Sequence, residues 1–192
     1  MSDLSDWELV ARARAGQRDA FEELVRRYQT PVIGFCRRML GSYQDAEEVA
    51  QESFVRVYRF LDRLRPEAKF STVLFGIARN LALNAIRDAG RRGRDVTHSL
   101  VREDRSERTI EDRAHTPDRV ARLREIEAMI EAALAELSPE HREVIVLREM
   151  HGLEYEAIAE IAKCRIGTVK SRLARARERL RIRLEQLGGD QL

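Results

Sequence analysis

The sequence predicts an all-α protein in which a flexible linker joins two small helical domains. Apolar residues recur at three- and four-residue steps along most of the chain, which is the spacing of amphipathic helices. Strand-like alternation is absent, and aromatic residues make up only 6% of the 192 residues. A tract dense in charges of both signs, 91–120, interrupts the apolar pattern. We therefore expect a first domain at 1–94, a linker at 95–120 and a second domain at 121–187.

The first domain contains start and stop signals for a series of helices. Ser5 and Glu8 have the spacing of a capping box, which begins a helix. Pro31 is suited to the first turn of a new helix, and Gly41 and Gly90 are expected to end helices. The predicted helices lie at 5–15, 19–28, 31–40, 43–64 and 70–89.

The second domain is also expected to be helical. Thr116-Pro117-Asp118 and Ser138-Pro139-Glu140 each combine a capping residue, a proline and an acid, which is typical of a helix N-terminus. Helices near 118–136 and 139–150 would precede two shorter helices within YEAIAEIAKCRIGTVKSRLARARERL, residues 155–180.

The segment 155–180 has the pattern of a helix-turn-helix, whose second helix enters the DNA major groove. Ala159 is small where two crossing helices touch, and Gly167 is expected at the bend. From Lys163 to Arg183 there are nine Lys and Arg residues against a single acid. Such a helix repels itself unless an anion such as DNA phosphate covers it. A solvated surface helix can be equally rich in arginine, but it needs neither the turn nor the small residues before it.

The long helix at 43–64 has a polar face opposite its apolar stripe. Asp45, Glu48, Gln51 and Glu52 recur on this face at helical spacing. A solvated face is the simplest interpretation, and a docking surface for a basic or polar partner is the alternative. A third interpretation, a carboxylate di-metal site, lacks the Glu-x-x-His ligand pair that such sites use.

The segment 66–94 is a second functional candidate. A loop containing Pro66 leads into a helix whose polar face combines amide and arginine side chains, which can contact base edges and phosphates. Phe70 is suited either to stacking on an unpaired base or to the core, whereas Phe75 is expected in the core. The polar residues of this segment are Ser71, Thr72, Arg79, Asn80, Asn84, Arg87, Arg91, Arg92 and Arg94.

Charge is distributed unevenly, although the net charge is only +2. Residues 125–160 hold ten acids and two bases, and the sign reverses in the next stretch. Arginine far outnumbers lysine, which suits bidentate phosphate and guanine contacts and is also produced by codon bias in a GC-rich genome.

Cys36 and Cys164 lack a CxxC partner, so both are expected to be small buried residues rather than zinc ligands. Asp112 and His115 form an isolated i,i+3 pair that is expected to be solvent-exposed.

The sequence shows no pattern typical of a secretion signal or a membrane span. The acidic N-terminal stretch lacks an apolar signal core, and no run of 18 apolar residues occurs. The expected location is therefore the cytoplasm.

The chain resembles the extracytoplasmic-function sigma factors, the two-domain group of bacterial transcription initiation factors in the sigma-70 superfamily. Three stretches carry the resemblance: DAEEVAQESFVRVYRFL, FSTVLFGIARNLALNAIRDAGRR and LSPEHREVIVLREMHGLEYEAIAEIAKCRIGTVKSRLARARERLR. They occur in the family's order, and the match covers nearly the whole chain. The family usually has Trp after FST, where this chain has Val73, and we expect different packing under the promoter-melting loop.

The resemblance implies a partner for each candidate surface. The first domain would bind the clamp helices of the RNA polymerase large subunit and melt the −10 promoter element, with a base flipped by the loop at 65–70 near Asn80. The second domain would dock on the polymerase flap and contact the −35 element. The implied residues are Asp45, Glu48, Gln51, Glu52 and Arg56 for core polymerase; Arg65, Lys69, Phe70, Ser71, Thr72, Arg79, Asn80, Asn84, Arg87, Arg91 and Arg92 for −10 DNA; and Arg165, Thr168, Lys170, Ser171, Arg172 and Arg175 for −35 DNA.

The resemblance also implies what the chain does not do. It implies no enzymatic activity, no cofactor or metal, no small-molecule substrate and no membrane insertion. It leaves open whether an anti-sigma factor holds this chain inactive. Two rival functions remain: a stand-alone helix-turn-helix transcriptional regulator, which would act as a two-fold dimer on palindromic DNA, and a helical adaptor that sequesters a partner.

Overall fold

The computed structural model describes residues 4–95 and 117–187, and within these ranges it contains helices and no strand, which confirms the all-α class. Most of the expected linker, including Asp112 and His115, lies outside the described residues. None of the described helices is long and apolar enough to cross a membrane. The helices are α1 (Asp6–Arg14), α2 (Arg18–Leu40), α3 (Tyr43–Arg59), a 3-10 turn (Leu61–Arg63), α4 (Phe70–Asp95), α5 (Pro117–Ala135), α6 (Pro139–Ile145), a π-helical turn (Val146–Met150), α7 (Tyr155–Ala162) and α8 (Ile166–Gln186).

The predicted capping box begins α1. The backbone N–H of Ser5 donates to Glu8 Oε2 at 2.8 Å, and the backbone N–H of Glu8 donates to Ser5 Oγ at 3.4 Å. These two bonds satisfy amide groups that the first helical turn leaves without partners. Leu9 and Val10 are buried, so the helix is held by its cap and by the core together.

α2 is one continuous helix, so the prediction of a new helix at Pro31 is wrong. A proline inside a helix removes one backbone hydrogen bond and costs about 3 kcal/mol. The apolar stripe nevertheless continues through this position, since Leu24, Val32 and Phe35 are all fully buried. Because α2 packs this stripe against both α3 and α4, burial outweighs the lost hydrogen bond.

The expected end of the fifth helix at Gly90 is also wrong, because α4 continues to Asp95. Glycine ends a helix when it adopts a left-handed backbone, as Gly41 does after α2 with φ of 75°. Gly90 does not have a positive φ. Within a helix, a glycine only weakens it by about 1 kcal/mol relative to alanine.

The second half ends in the predicted helix-turn-helix, formed by α7 and α8. The predicted bend at Gly167 is wrong, because Gly167 is already the second residue of α8. Lys163 makes the turn instead, with φ of 51° in the left-handed region. The turn is closed by the N–H of Cys164, which donates to Ala159 O at 3.0 Å. Ala159 is buried, as expected for a small residue in the motif.

A single hydrophobic core extends across both halves of the chain. α2 and α4 of the first half pack against α5, α6 and α7 of the second half. His151, which follows the π-helical turn, lies against Phe75 and Phe35, with ring centroids 4.9 and 6.2 Å apart. Arg142 reaches across to donate to Met39 O at 2.7 Å. The halves are therefore in direct contact, which the picture of two tethered domains did not include.

His151 makes this contact sensitive to pH. Burial, together with the charge of Arg38, lowers the pKa of His151 to about 4. An unfolded chain with an ordinary histidine pKa of about 6.5 binds a proton between pH 6.5 and 4 that the folded chain does not bind. The free energy of unfolding should therefore fall as the pH drops through this window, by about 1 kcal/mol after allowing for solvent around the half-buried ring.

Urea unfolding of the wild type and His151→Phe at pH 7 and pH 5 tests this prediction. Phenylalanine keeps the aromatic contacts and removes the titrating group, while all other titrating groups are shared. We expect the loss between pH 7 and pH 5 to be smaller in the variant. Equal losses in both proteins would assign the pH dependence to other groups.

Candidate nucleic-acid and partner-binding interfaces

The predicted polar face of α3 is exposed. Ser42 caps the helix by accepting from the N–H of Asp45 at 3.2 Å, which orients the face from its first turn. Glu52 is half-buried and accepts from Arg56 Nε at 2.7 Å. The exposed residues of this face are Asp45, Glu48, Gln51 and Arg56.

An apolar groove of about 680 Å³ borders this polar face, between α2 and α3. Gln51 lies on its edge, and Phe21 and Tyr58 pack edge-to-face across it with ring centroids 5.0 Å apart. Tyr58 is 52% exposed, which is high for an aromatic residue on an apolar stripe. An apolar centre with exposed aromatic rings and a polar rim is the usual composition of a protein-binding surface.

The loop at 65–69 lies between the 3-10 turn and α4, and most of its residues are exposed. Arg65, Pro66 and Glu67 form an exposed tip, and Lys69 is exposed at the start of α4. The loop places two cationic side chains in solvent, where a phosphate or a base can reach them.

Two residues predicted to contact −10 DNA are buried. Phe70 is 1% exposed and packs against Trp7 and Tyr28, with ring centroids 6.4 and 5.5 Å apart. Thr72 is also buried. The interpretation of Phe70 as a base-stacking residue is therefore wrong in this structure, because both of its neighbouring rings and the helix cover it. Ser71, between the two, is half-buried.

Further along α4, the polar residues divide between interior and surface. Asn80 is half-buried and its Oδ1 accepts from Arg79 Nη1 at 3.3 Å. Asn84 is exposed and its Oδ1 accepts from Arg87 Nη2 at 2.8 Å. Arg91 is exposed, 3.8 Å from an Asp88 carboxylate oxygen. The side chains of Arg92 and Arg94 lie outside the described residues.

The two candidate DNA-binding helices converge on one buried carboxylate. Glu143 of α6 is 0% exposed. Arg79 of α4 binds it with two hydrogen bonds, Nε to Oε2 at 2.6 Å and Nη2 to Oε1 at 3.2 Å. Arg172 of α8 donates to the same Oε1 at 3.3 Å. Burial raises the pKa of Glu143, and the Arg79 hydrogen bonds oppose that shift.

This contact distinguishes the arginines at the start of the recognition helix. Arg172 is half-buried because its guanidinium turns toward Glu143. Arg175, one turn later, is exposed.

The Tyr155 ring of α7 makes cation–π contacts with Arg148 and Lys170, whose charged groups lie 4.8 and 5.9 Å from the ring centroid. The other predicted −35 residues, Arg165 and Ser171, are exposed and Thr168 is half-buried.

Neither cysteine lies in a metal-binding environment. Cys36 is fully buried, and burial raises the pKa of its thiol to about 12. Cys164 is only half-buried, so the expectation that both cysteines are buried holds fully for Cys36 alone. Within residues 4–95 and 117–187, no group of three His, Cys, Asp or Glu residues could hold a metal ion.

The sequence-based predictions did not include the roles of three residues, Glu143, Tyr58 and Trp7. Glu143 could have been identified, because its i+3 and i+4 neighbours are the core residues Val146 and Leu147, so helical periodicity places its carboxylate in the buried stripe. Tyr58 recurs with the apolar residues of α3, so periodicity alone predicts its burial, yet the ring is exposed. Trp7 had no local signal, since its hydrogen-bond partner Ala68 is 61 residues away.

Comparisons with known proteins agree on the nature of both halves. Residues 24–92 match the family model for sigma-70 region 2, and 127–180 match the model for sigma-70 region 4. The RNA polymerase sigma-H factor of Pseudomonas aeruginosa is 37% identical over 184 residues, covering 95% of each chain. The ECF RNA polymerase sigma-E factor of Haemophilus influenzae is 36% identical over 187 residues, covering 96% of this chain and 97% of the relative.

Solved structures share the fold. CnrH, determined in complex with the cytosolic domain of CnrY, is 25% identical with a TM-score of 0.65, covering 94% of this chain and 97% of CnrH. The sigma factor RpoE of Bartonella quintana, determined in complex with the anti-sigma factor NepR, also has a TM-score of 0.65 at 24% identity, covering 86% of this chain and 96% of RpoE.

Proposed function

This chain belongs to the extracytoplasmic-function group of the sigma-70 family, and we propose which of its surfaces bind RNA polymerase and each promoter element. As a sigma factor it is not an enzyme: it binds core RNA polymerase and directs promoter-specific initiation of transcription. The observation that carries the assignment of surfaces is the exposure of three sets of polar side chains: on α3, on the loop and α4, and on the N-terminal half of α8.

The surface proposed for core polymerase is the polar face of α3 with the adjoining groove. Asp45, Glu48, Gln51, Glu52 and Arg56 supply the polar contacts. The groove supplies apolar area, with exposed Tyr58 as an aromatic anchor. The proposed occupant is the pair of clamp helices of the large subunit, which is what the family resemblance implies.

We expect Glu48→Ala combined with Gln51→Ala to weaken binding to bacterial core RNA polymerase about tenfold, because two polar contacts beside the apolar groove are lost together. Both side chains are exposed, so the helix content should not change. The measurement is a fluorescence titration of labelled sigma factor with core enzyme.

The matched control is Glu22→Arg, which reverses an exposed charge on α2. It should bind core enzyme as the wild type does. If the double variant keeps wild-type affinity, the α3 face is merely solvated and the assignment is wrong.

The surface proposed for the −10 element is the exposed loop with the polar face of α4. The loop contributes Arg65 and Lys69, and α4 contributes Asn80 and Arg87 as its central members. Amide and guanidinium groups of this kind contact base edges and phosphates of an unpaired strand. The remaining proposed contacts are Ser71, Asn84, Arg91 and Arg92, with Arg79 available only when it is released from Glu143.

The surface proposed for the −35 element is the N-terminal half of α8, the part of a recognition helix that reaches base edges. Exposed Arg175 and Lys170 are the strongest candidates for base contact, with Arg165, Thr168 and Ser171 beside them. Arg172 is held by Glu143, so in this arrangement it supports the helix from behind.

We expect Arg175→Ala to relax base preference at one −35 position, since a bidentate arginine–guanine contact discriminates by about 1–3 kcal/mol. Arg181→Ala is the matched control. Arg181 lies two turns later and is paired with Glu178 and Glu185, at 2.8 and 2.6 Å. It should leave the preference profile unchanged.

The measurement is the selection of −35 sequences by the holoenzyme from a randomised element. If Arg175→Ala lowers affinity for all sequences equally and lowers the salt dependence by about one unit, the residue contacts phosphate. Its proposed role in base recognition would then be wrong.

The −10 and −35 elements cannot both be bound at the same time while the halves are in contact. The two elements are centred about 25 base pairs apart, which is about 85 Å along B-DNA at 3.4 Å per step. In the structure, Arg79 and Arg172 touch the same carboxylate. We propose that the halves separate when the chain engages a promoter, and that this structure is the arrangement of the free chain.

Arg79→Ala should favour separation, because it leaves the buried Glu143 with one partner instead of two. Removing one partner of a buried ion pair costs about 3–5 kcal/mol, and solvation of Glu143 in separated halves relieves that cost. We expect a larger radius of gyration in small-angle X-ray scattering of the free chain, with unchanged helix content.

Arg87→Ala, which removes an exposed arginine from the same helix, should leave the radius unchanged. If the Arg79→Ala chain stays as compact as the wild type, the contact between the halves does not depend on this ion pair.

Two further parts of the proposal concern partners and location. We also propose a protein partner such as an anti-sigma factor, since CnrH was determined with the cytosolic domain of CnrY and RpoE with the anti-sigma factor NepR. We place the chain in the cytoplasm, where core polymerase and promoter DNA are found. The match of the first half to sigma-70 region 2 disfavours the stand-alone regulator, for which no observation remains.

A further inference from the structure

α1 contacts the loop at 65–69, the loop proposed to act on the −10 element, from the side opposite the exposed tip of the loop. The loop at 65–69 presents Arg65, Pro66 and Glu67 to solvent. The backbone carbonyls at both of its ends accept hydrogen bonds from α1 side chains. The sequence match to sigma-70 region 2 begins at residue 24, so α1 lies outside the matched segment.

Trp7 holds the exit of the loop. Its indole Nε1 donates to Ala68 O at 3.1 Å, and its ring packs edge-on against Phe70, the first residue of α4. An indole has a single donor, so the packing and the hydrogen bond together define one orientation. Trp7 is the only tryptophan in the chain.

Arg14 holds the entrance of the loop. Its Nε donates to Leu61 O at 2.8 Å, and its Nη2 donates to Leu64 O at 2.5 Å. One planar guanidinium thus binds two carbonyls, which fixes the 3-10 turn relative to Leu64, the residue directly before the exposed tip. Leu64 itself is buried, so the chain enters the loop from a fixed point.

α1 is itself held in place, so it can act as a rigid support. Arg27 of α2 donates to Leu4 O at 2.8 Å and pairs with Asp6 at 3.1 Å. The Tyr28 hydroxyl donates to the other Asp6 oxygen at 2.5 Å. Tyr28 also packs against Phe70, so α1, α2 and the start of α4 form one assembly behind the loop.

We propose that Trp7 and Arg14 are positioning residues for promoter melting, which hold the loop in the shape that captures an unpaired base of the −10 element. This inference rests on the proposed −10 role of the loop and extends it to α1, a helix outside the surfaces proposed for DNA. A loop that is free before binding loses backbone entropy when it captures a base, whereas a held loop has lost that entropy during folding. Holding both ends therefore favours the melted state of the promoter.

The test compares Trp7→Phe, Trp7→Ala and Arg14→Ala, each in holoenzyme. Phenylalanine keeps the ring against Phe70 and removes only the hydrogen bond to Ala68 O. Arg12→Ala is the matched control, because Arg12 is an exposed arginine on the same helix. The probe is a promoter selected by the wild-type holoenzyme from randomised DNA, with 2-aminopurine in the −10 element to report unpairing.

We expect Trp7→Phe to slow the melting step roughly fivefold, the effect of one hydrogen bond, and Trp7→Ala and Arg14→Ala to slow it roughly tenfold or more. Initial binding to duplex promoter should be unchanged. On a template with a pre-melted −10 element, the three variants should form the open complex at a rate close to that of the wild type. Arg12→Ala should match the wild type on both templates. A purely structural role would lower the amount of active holoenzyme without changing the rate of melting.

Wild-type melting by Trp7→Phe and Arg14→Ala would overturn the proposal, as would equal losses on duplex and pre-melted templates. Arg65→Ala and Asn80→Ala, measured in the same assay, separate this failure from failure of the proposed function. If they slow melting while the α1 variants do not, the loop acts on DNA without support from α1. If they also leave melting unchanged, the −10 assignment itself is wrong.

Discussion

One buried negative charge, the carboxylate of Glu143, constrains helices from both halves of the chain at once. A carboxylate removed from water is costly unless hydrogen bonds from cations replace its hydration. Here the cations come from α4 of the first half and α8 of the second half, through Arg79 and Arg172. The requirement to satisfy this single group therefore links helices that are far apart in sequence, and it also determines which arginines remain available to an outside anion.

Availability is what distinguishes the recognition residues from their supports. Arg175 is exposed and has the freedom to contact DNA, whereas Arg172 on the same helix is held by Glu143. The same division occurs around the loop at 65–69. Arg65 in the loop tip is exposed, whereas Phe70 just beyond it is buried between Trp7 and Tyr28. Buried contacts fix the position of a surface, and the exposed side chains on that surface are the ones proposed for recognition.

The surface proposed for core polymerase follows a different principle from the surfaces proposed for DNA. Its polar rim on α3 has only local ion pairs, such as Glu52 with Arg56, which contribute little stability at the surface. Its affinity must come mainly from burying the apolar groove and the exposed ring of Tyr58. The DNA-binding surfaces instead depend on charge, so they should respond to salt far more strongly than the polymerase-binding surface does.

Local chemistry determined the helices and the helix-turn-helix, so the sequence alone predicted the class of fold and the family. Periodicity, the capping box at Ser5 and the proline at the start of α6 all act within a few residues. Predictions failed where distant packing outweighs a local signal: Pro31 stays inside α2 because a continuous apolar stripe is buried on both sides of it. Only the tertiary structure decided that Glu143 joins the halves and that Trp7 supports the loop, because their partners lie 64 and 61 residues away and no periodic pattern spans such distances.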